Sequence, residues 1–83
     1  MKNKVLIELY VVELDRFFDI TIPVNEYVGK IIEDIVESVF ELTDSTKGRE
    51  NYYLLNPDEG TVYNNSDLIR DTDIRNAKRI FMV

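Results

Sequence analysis

The stretch Val28-Gly-Lys-Ile-Ile-Glu-Asp-Ile-Val-Glu-Ser-Val-Phe-Glu-Leu42 decides the fold. Its apolar residues Val28, Ile31, Ile32, Ile35, Val36, Val39 and Leu42 recur at the i, i+3, i+4, i+7 spacing that lines them along one stripe of an α-helix. Glu33, Asp34, Glu37 and Glu41, with Lys30 among them, fall on the opposite face. Because the stripe is rich in β-branched Ile and Val, intrinsic helix propensity contributes little, and packing has to hold the helix. Such a helix requires a flat apolar surface to lie on.

The flanking segments supply that surface. Lys4 to Val12 alternates, and Glu8 fixes the register: Val5, Ile7, Leu9 and Val11 face the core. Glu13, Leu14 and Asp15 form a short polar turn. Arg16 to Ile22 is a second alternating run, with Phe18, Ile20 and Ile22 on one face and Asp19 and Thr21 on the other. The short connection between the two runs predicts an antiparallel hairpin. Pro23 ends the second strand, since it has no N–H for the ladder. Asn25 is the expected N-cap of the helix, with Glu26 in the first turn and Gly29 allowing close approach to the sheet.

The helix is expected to stop near Thr43, followed by a polar loop over Asp44 to Asn51 that holds Gly48. Tyr52 to Leu55 reads as a third strand, Asn56 to Gly60 as a turn, and Thr61 to Tyr63 as a short fourth strand. Leu68 to Arg70 reads as one helical turn capped by Ser66 or Asp67. A tight turn at Arg75 to Lys78 leads into a last strand, Arg79 to Val83. The long, mostly helical connection lets the last strand run parallel to the first in the middle of the sheet. The expectation is an α+β domain over residues 1–83, with one helix on one face of a mixed four- to five-stranded sheet in ββαββ order.

Composition narrows the function. At 83 residues the chain buries about 60% of its unfolded surface, enough for one modest core. It has no cysteine and no histidine, so it lacks thiolate chemistry, cysteine-ligated metals and the commonest general base. The first apolar run is cut by Glu8, unlike a signal peptide, and no run approaches the length of a membrane span. These features predict a cytoplasmic protein without membrane insertion. A net charge of −6 argues against a nucleic-acid partner. The charge is uneven: residues 61–83 carry four cations against three acids, so the negative surplus lies upstream, much of it on the helix. That acidic face, Glu33, Asp34, Glu37 and Glu41, reads either as solvated surface or as a secondary face that steers a basic partner.

No catalytic arrangement emerges. Glu33/Asp34 and Asp58/Glu59 are adjacent pairs whose side chains diverge. Asp71 and Asp73, with Asn64, Asn65 and Asp67, are rich in oxygen but lack the ordered spacing of a calcium loop and read as turn caps. The expectation is therefore no enzyme, no cofactor and no metal. Alternation instead places Leu6, Tyr10, Phe17, Phe81 and Val83 on the helix-free face of the sheet. The third strand is apolar at four consecutive positions, with Tyr52 and Leu54 assigned inward and Tyr53 and Leu55 outward. The candidate protein-interaction set is Leu6, Tyr10, Tyr53, Leu55, Phe81 and Val83, because a contiguous apolar patch marks an interface and aromatic residues concentrate at hot spots. The outer strands Arg16 to Ile22 and Thr61 to Tyr63 leave free edges through which copies of the chain could also pair.

The element order, together with the tail Leu68-Ile-Arg-Asp-Thr-Asp-Ile-Arg-Asn-Ala-Lys-Arg-Ile80, resembles ubiquitin and its β-grasp relatives across essentially the whole chain. Many of those relatives carry Gly where this chain has Ala77. Within the superfamily, an acidic stand-alone domain with an Ile- and Val-rich helix looks most like the YukD/EsaB group, small cytosolic proteins of bacterial type VII (WXG100) secretion systems. The resemblance implies a ubiquitin-like fold, an accessory or regulatory binding role, protein partners among secretion-system membrane or ATPase components, and use of the sheet face for binding. Conjugated relatives end in a flexible Gly-Gly tail. Here the sequence closes on Ile80, Phe81, Met82 and Val83 in strand, which implies no conjugation. The same residues leave open a small β-grasp subunit of a multisubunit enzyme, an oxygenase component or a degenerate sulfur carrier.

Overall fold

The computed structural model describes residues 3–45 and 51–83. The first hairpin pairs β1 (Lys4–Val11) with β2 (Arg16–Pro23) in register from Lys4 opposite Pro23 to Val11 opposite Arg16. One 3-10 turn, Val12–Leu14, and Asp15 in the left-handed region (φ 51°) make the connection. Val12 therefore belongs to the turn rather than to the strand. The main helix α1 spans Val28–Leu42. The strands β3 (Leu54–Asn56), β4 (Thr61–Val62) and β5 (Lys78–Met82) follow, with a second 3-10 turn at Ile69–Asp71. The sheet order is β2-β1-β5-β3-β4, and β5 runs parallel to β1, with Leu9 opposite Ile80 and Tyr10 opposite Phe81. This is the ubiquitin-like β-grasp fold.

Burial follows the alternation. Ile7, Leu9 and Val11 of β1, Leu54 of β3, and Ile80 and Met82 of β5 are buried beneath Val28, Ile31, Ile32, Ile35 and Val39 of α1. The inward assignment of Tyr52 and Leu54 holds: both are buried, whereas Tyr53 is exposed. The third strand is shorter and shifted, to Leu54–Asn56, although Tyr53 still exchanges two backbone hydrogen bonds with Val83 (2.8 and 2.9 Å). Of the polar loop expected over residues 44–51, residues 46–50, Gly48 included, lie outside the described residues.

Several local expectations are overturned by contacts from distant sequence. Asn25 does not cap α1. The N-cap is Tyr27, with no side-chain cap, and the first free donors are taken by a loop some 40 residues on: Val28 N–H donates to the Asp67 carbonyl (2.9 Å) and Gly29 N–H to the Asn65 carbonyl (3.1 Å). Asn25 accepts instead from the Arg70 guanidinium (3.1 Å). Gly29 meets the same loop rather than the sheet: a Cβ there would sit 3.3 Å from both Cβ and the carbonyl oxygen of Asn65, so the loop would have to give by a few tenths of an ångström. The 3-10 turn before β5 begins after Leu68 and has no side-chain cap from Ser66 or Asp67. At the far end of α1 the stripe ends differently from its periodicity. Leu42 is 77% exposed, and Phe40, which lay off the stripe, is buried with its ring 5.7 Å from that of Tyr52.

The turn into β5 places Ala77 at φ 69°, where its N–H donates to the Leu6 carbonyl (2.7 Å). A side-chain-bearing residue in this region costs roughly 1–2 kcal/mol, and glycine returns about 0.4–1 kcal/mol through the freedom of its unfolded chain. Ala77→Gly is therefore expected to raise stability by about 0.5–1 kcal/mol, read as a higher urea midpoint at an unchanged slope. An unchanged or lower midpoint would mean that the turn carries no strain at Ala77.

Candidate functional site on the outer sheet face

The face of the sheet opposite α1 is built from the residues that alternation turns away from the core. From β1 these are Leu6, Glu8 and Tyr10; from β2, Phe17 and Asp19; from β5, Arg79 and Phe81; and from β3, Leu55. Register brings four of them into one row across the sheet. Phe17 lies opposite Tyr10, Tyr10 opposite Phe81, and Phe81 opposite Leu55. The rings touch, with centroids 4.7 Å apart for Tyr10 and Phe17 and 5.1 Å for Tyr10 and Phe81, both pairs tilted as aromatic quadrupoles prefer. Val62 on β4 continues the row beyond Leu55.

The predicted set is thus assembled, and its members differ in accessibility. Leu6 (49% exposed), Tyr53 (44%), Phe17 (55%) and Val62 (55%) are open to solvent, while Tyr10, Leu55, Phe81 and Val83 are half-buried by their neighbours in the row. Val62 was missed because a two-residue strand gives no alternation to read. Glu8 and Arg79 on this face are paired, and Asp19 stands exposed beside them. Arg79 Nε donates to the Glu8 carboxylate at 2.6 Å, and its guanidinium stands 5.4 Å from the Phe17 ring centroid. The Tyr10 hydroxyl donates to the Asp15 carboxylate, which is the main cause of its raised phenol pKa. The surface that results is aromatic and close to neutral on a strongly acidic chain. Glu33, Asp34, Glu37 and Glu41 are all exposed on α1, on the other side of the molecule, with Lys30 Nζ 3.1 Å from Asp34.

The oxygen-rich residues near β4 act as turn ties. The Asn64 side chain accepts from Ser66 N–H (2.8 Å), and the Asp73 carboxylate accepts from the Tyr63 hydroxyl (2.6 Å) and from Nδ2 of the buried Asn56 (3.0 Å). Lys78 Nζ lies 3.6 Å from Asp73 and 3.4 Å from Asp58. Among the described residues, no three acidic side chains gather around a common point where a cation would sit.

Partial burial, reinforced by the hydrogen bond to Asp73 and the nearby charges of Asp73, Glu59 and Asp58, pushes the Tyr63 phenol well above its ordinary value. A folded pKa raised above the unfolded one adds stability that is complete below pH of about 10 and is lost as pH rises toward the folded value. Stability should therefore fall more steeply between pH of about 9 and 11 in the wild type than in Tyr63→Phe, as followed by urea midpoints. Parallel curves would show that Tyr63 does not contribute to the alkaline loss.

No protein-family model matches the chain, and no curated protein does. Solved structures do. The EccD5 ubiquitin-like domain from Mycobacterium xenopi superposes with a TM-score of 0.77 at 13% identity, covering 96% of this chain and 92% of that one. The ubiquitin-like domain of the Mycobacterium tuberculosis type VII secretion system protein ECCD1 gives 0.70 at 12% identity, over 95% and 98%. A chain of the toluene 4-monooxygenase HD complex gives 0.78 at 8% identity, over 95% of each chain. At these identities the likeness establishes the shared fold.

Proposed function

We propose that this chain is a non-enzymatic protein-interaction module that docks a partner through its outer sheet face, as a cytoplasmic accessory or regulatory component of a bacterial type VII secretion system of the YukD/EsaB kind. The observation that carries the reading is the contiguous row Phe17, Tyr10, Phe81, Leu55 and Val62, with exposed Tyr53 beside it and exposed Leu6 on the same face beyond Glu8. Aromatic residues of this kind supply large contact area at small entropic cost and dominate interface energetics. The face suits an apolar partner surface, because the row itself carries no charge and Glu8 and Arg79 beside it are already paired. Two of the superposed structures are ubiquitin-like domains of type VII secretion proteins, which supports a partner among the membrane or ATPase components of such a system. Among the described residues no helix is long and apolar enough to cross a membrane.

A second reading, favoured by the superposition on the toluene 4-monooxygenase chain over nearly its full length, is a small β-grasp subunit of a multisubunit enzyme. Both readings place the binding surface on a β-grasp scaffold, and the partner distinguishes them. The test is a cross-linked pull-down from the native cell with the wild type beside Phe17→Glu/Tyr53→Glu. Secretion-system components recovered by the wild type alone support the first reading. Recovery of oxygenase subunits moves the chain to the second, and equal recovery by both forms removes the site from the sheet face.

A further inference from the structure

One acid on the outer sheet face lacks a counter-charge. The register of the first hairpin sets Glu8 of β1 directly opposite Asp19 of β2, and alternation turns both carboxylates outward. Like charges facing each other across two strands are destabilising. A single cation serves the two. Arg79, level with Glu8 on β5, donates from Nε to the Glu8 carboxylate (2.6 Å). No ion pair among the described residues includes Asp19, which stands exposed. Lys4, also on this face, lies opposite Pro23 at the end of the hairpin, roughly 13 Å from Glu8 along β1 at a rise of about 3.3 Å per residue. Glu8, Asp19 and Arg79 together therefore leave one net negative charge beside the aromatic row.

The neighbour of Asp19 on this face is Phe17, two residues back along β2 and 55% exposed. Its ring already accepts one guanidinium, that of Arg79, 5.4 Å from the centroid. A carboxylate beside an exposed ring lets a guanidinium gain twice, by charge-assisted hydrogen bonds to the acid and by stacking on the π face. We infer that Asp19 and Phe17 form a border subsite of the outer sheet face that selects a partner protein whose apolar contact surface is edged by an arginine, an inference that rests on the sheet-face reading above. Arginine suits the subsite better than lysine, because its planar fork meets the carboxylate with two donors and lies flat on the ring. A partner acid at this border would meet Glu8 and Asp19 instead, so the same residues reject acidic surfaces. A second copy of the chain could offer its own Arg79 only by giving up the bond to Glu8.

The test titrates the isotope-labelled full chain with acetyl-Arg-Leu-Phe-amide, beside the isosteric, uncharged peptide that carries citrulline in place of arginine. Nuclear magnetic resonance follows the amide signals and the Asp19 carboxyl carbon. The arginine peptide should shift Phe17 and Asp19 and bind about threefold or more tightly than the citrulline peptide, with a preference that shrinks as salt rises. Asp19→Asn should abolish the preference. Because it also removes the repulsion with Glu8, its urea midpoint should equal or exceed that of the wild type. The inference is overturned by equal binding of the two peptides, by a preference that survives in Asp19→Asn, by a lower midpoint of that variant, or by shifts confined to residues off the outer face. No saturation at millimolar peptide overturns it as well. Each of these failures leaves the sheet-face reading standing, since that reading is decided by partner capture with Phe17→Glu/Tyr53→Glu.

Discussion

Replacing Leu9 with Ala is expected to lower the unfolding free energy by about 3–4 kcal/mol. Leu9 is fully buried at the centre of the sheet, flanked by Phe18 on β2 and Ile80 on β5. Removing its isobutyl group loses the transfer energy of the buried methyl and methylene groups and leaves a void that the paired strands on both sides cannot close without breaking ladder bonds. A domain of this length has a total stability of only about 4–12 kcal/mol, so the variant should be near its unfolding threshold at room temperature. The exposed Leu42, of identical chemistry, is the control: Leu42→Ala should change stability by no more than about 0.5 kcal/mol. Urea unfolding of the two variants checks the pair. Equal losses would contradict the placement of the core.

Loss of partner binding by more than a hundredfold, with the fold intact, is the expected result of Phe17→Glu/Tyr53→Glu. A hundredfold loss corresponds to about 2.7 kcal/mol, and a central aromatic at an interface costs about 2 kcal/mol or more when truncated, so two of them suffice without further effects. Glutamate adds a desolvation penalty, because each carboxylate would enter the interface without a partner. Both side chains are exposed in the free chain, so the native core does not register their loss. Phe81 is a poorer probe, since it is half-buried between Tyr10 and Leu55, and a carboxylate there would disturb the sheet as well as the surface. Circular dichroism and the urea midpoint separate the two effects. A folded double variant that still binds its partner would remove the function from this face.

The fold was legible because its signals are local. The i, i+3, i+4, i+7 spacing over Val28–Leu42 and the alternation around Glu8 each follow from the period of a backbone conformation, and that period is the same wherever the segment comes to lie. The outward direction of Leu6, Tyr10, Tyr53 and Phe81 follows from the same alternation, so the membership of the sheet face was readable before its contacts were. Its continuity was not. The row from Phe17 to Val62 exists because β5 inserts between β1 and β3, an arrangement set by the crossover and by which apolar faces bury one another.

The errors share one cause. Asn25 has the right side chain for an N-cap, yet the helix begins two residues beyond its reach, at Val28, and the first donors are taken by the backbone carbonyls of Asn65 and Asp67, which meet them only after the chain has returned past the helix. Gly29 reads as allowing close approach to the sheet, whereas what lies against it is the Asn65 backbone and Cβ, 3.3 Å from where a Cβ would stand. Phe40 and Leu42 exchange roles because the stripe continues in sequence beyond the point where the sheet beneath it ends, and Tyr52 arrives beside Phe40 instead. Sequence alone determined the type, order and buried face of the elements, because these depend on short-range backbone geometry and the hydrophobic period. Tertiary structure alone decided which donors were capped and which stripe residues stayed wet, because each depends on groups dozens of residues apart whose meeting no local pattern encodes.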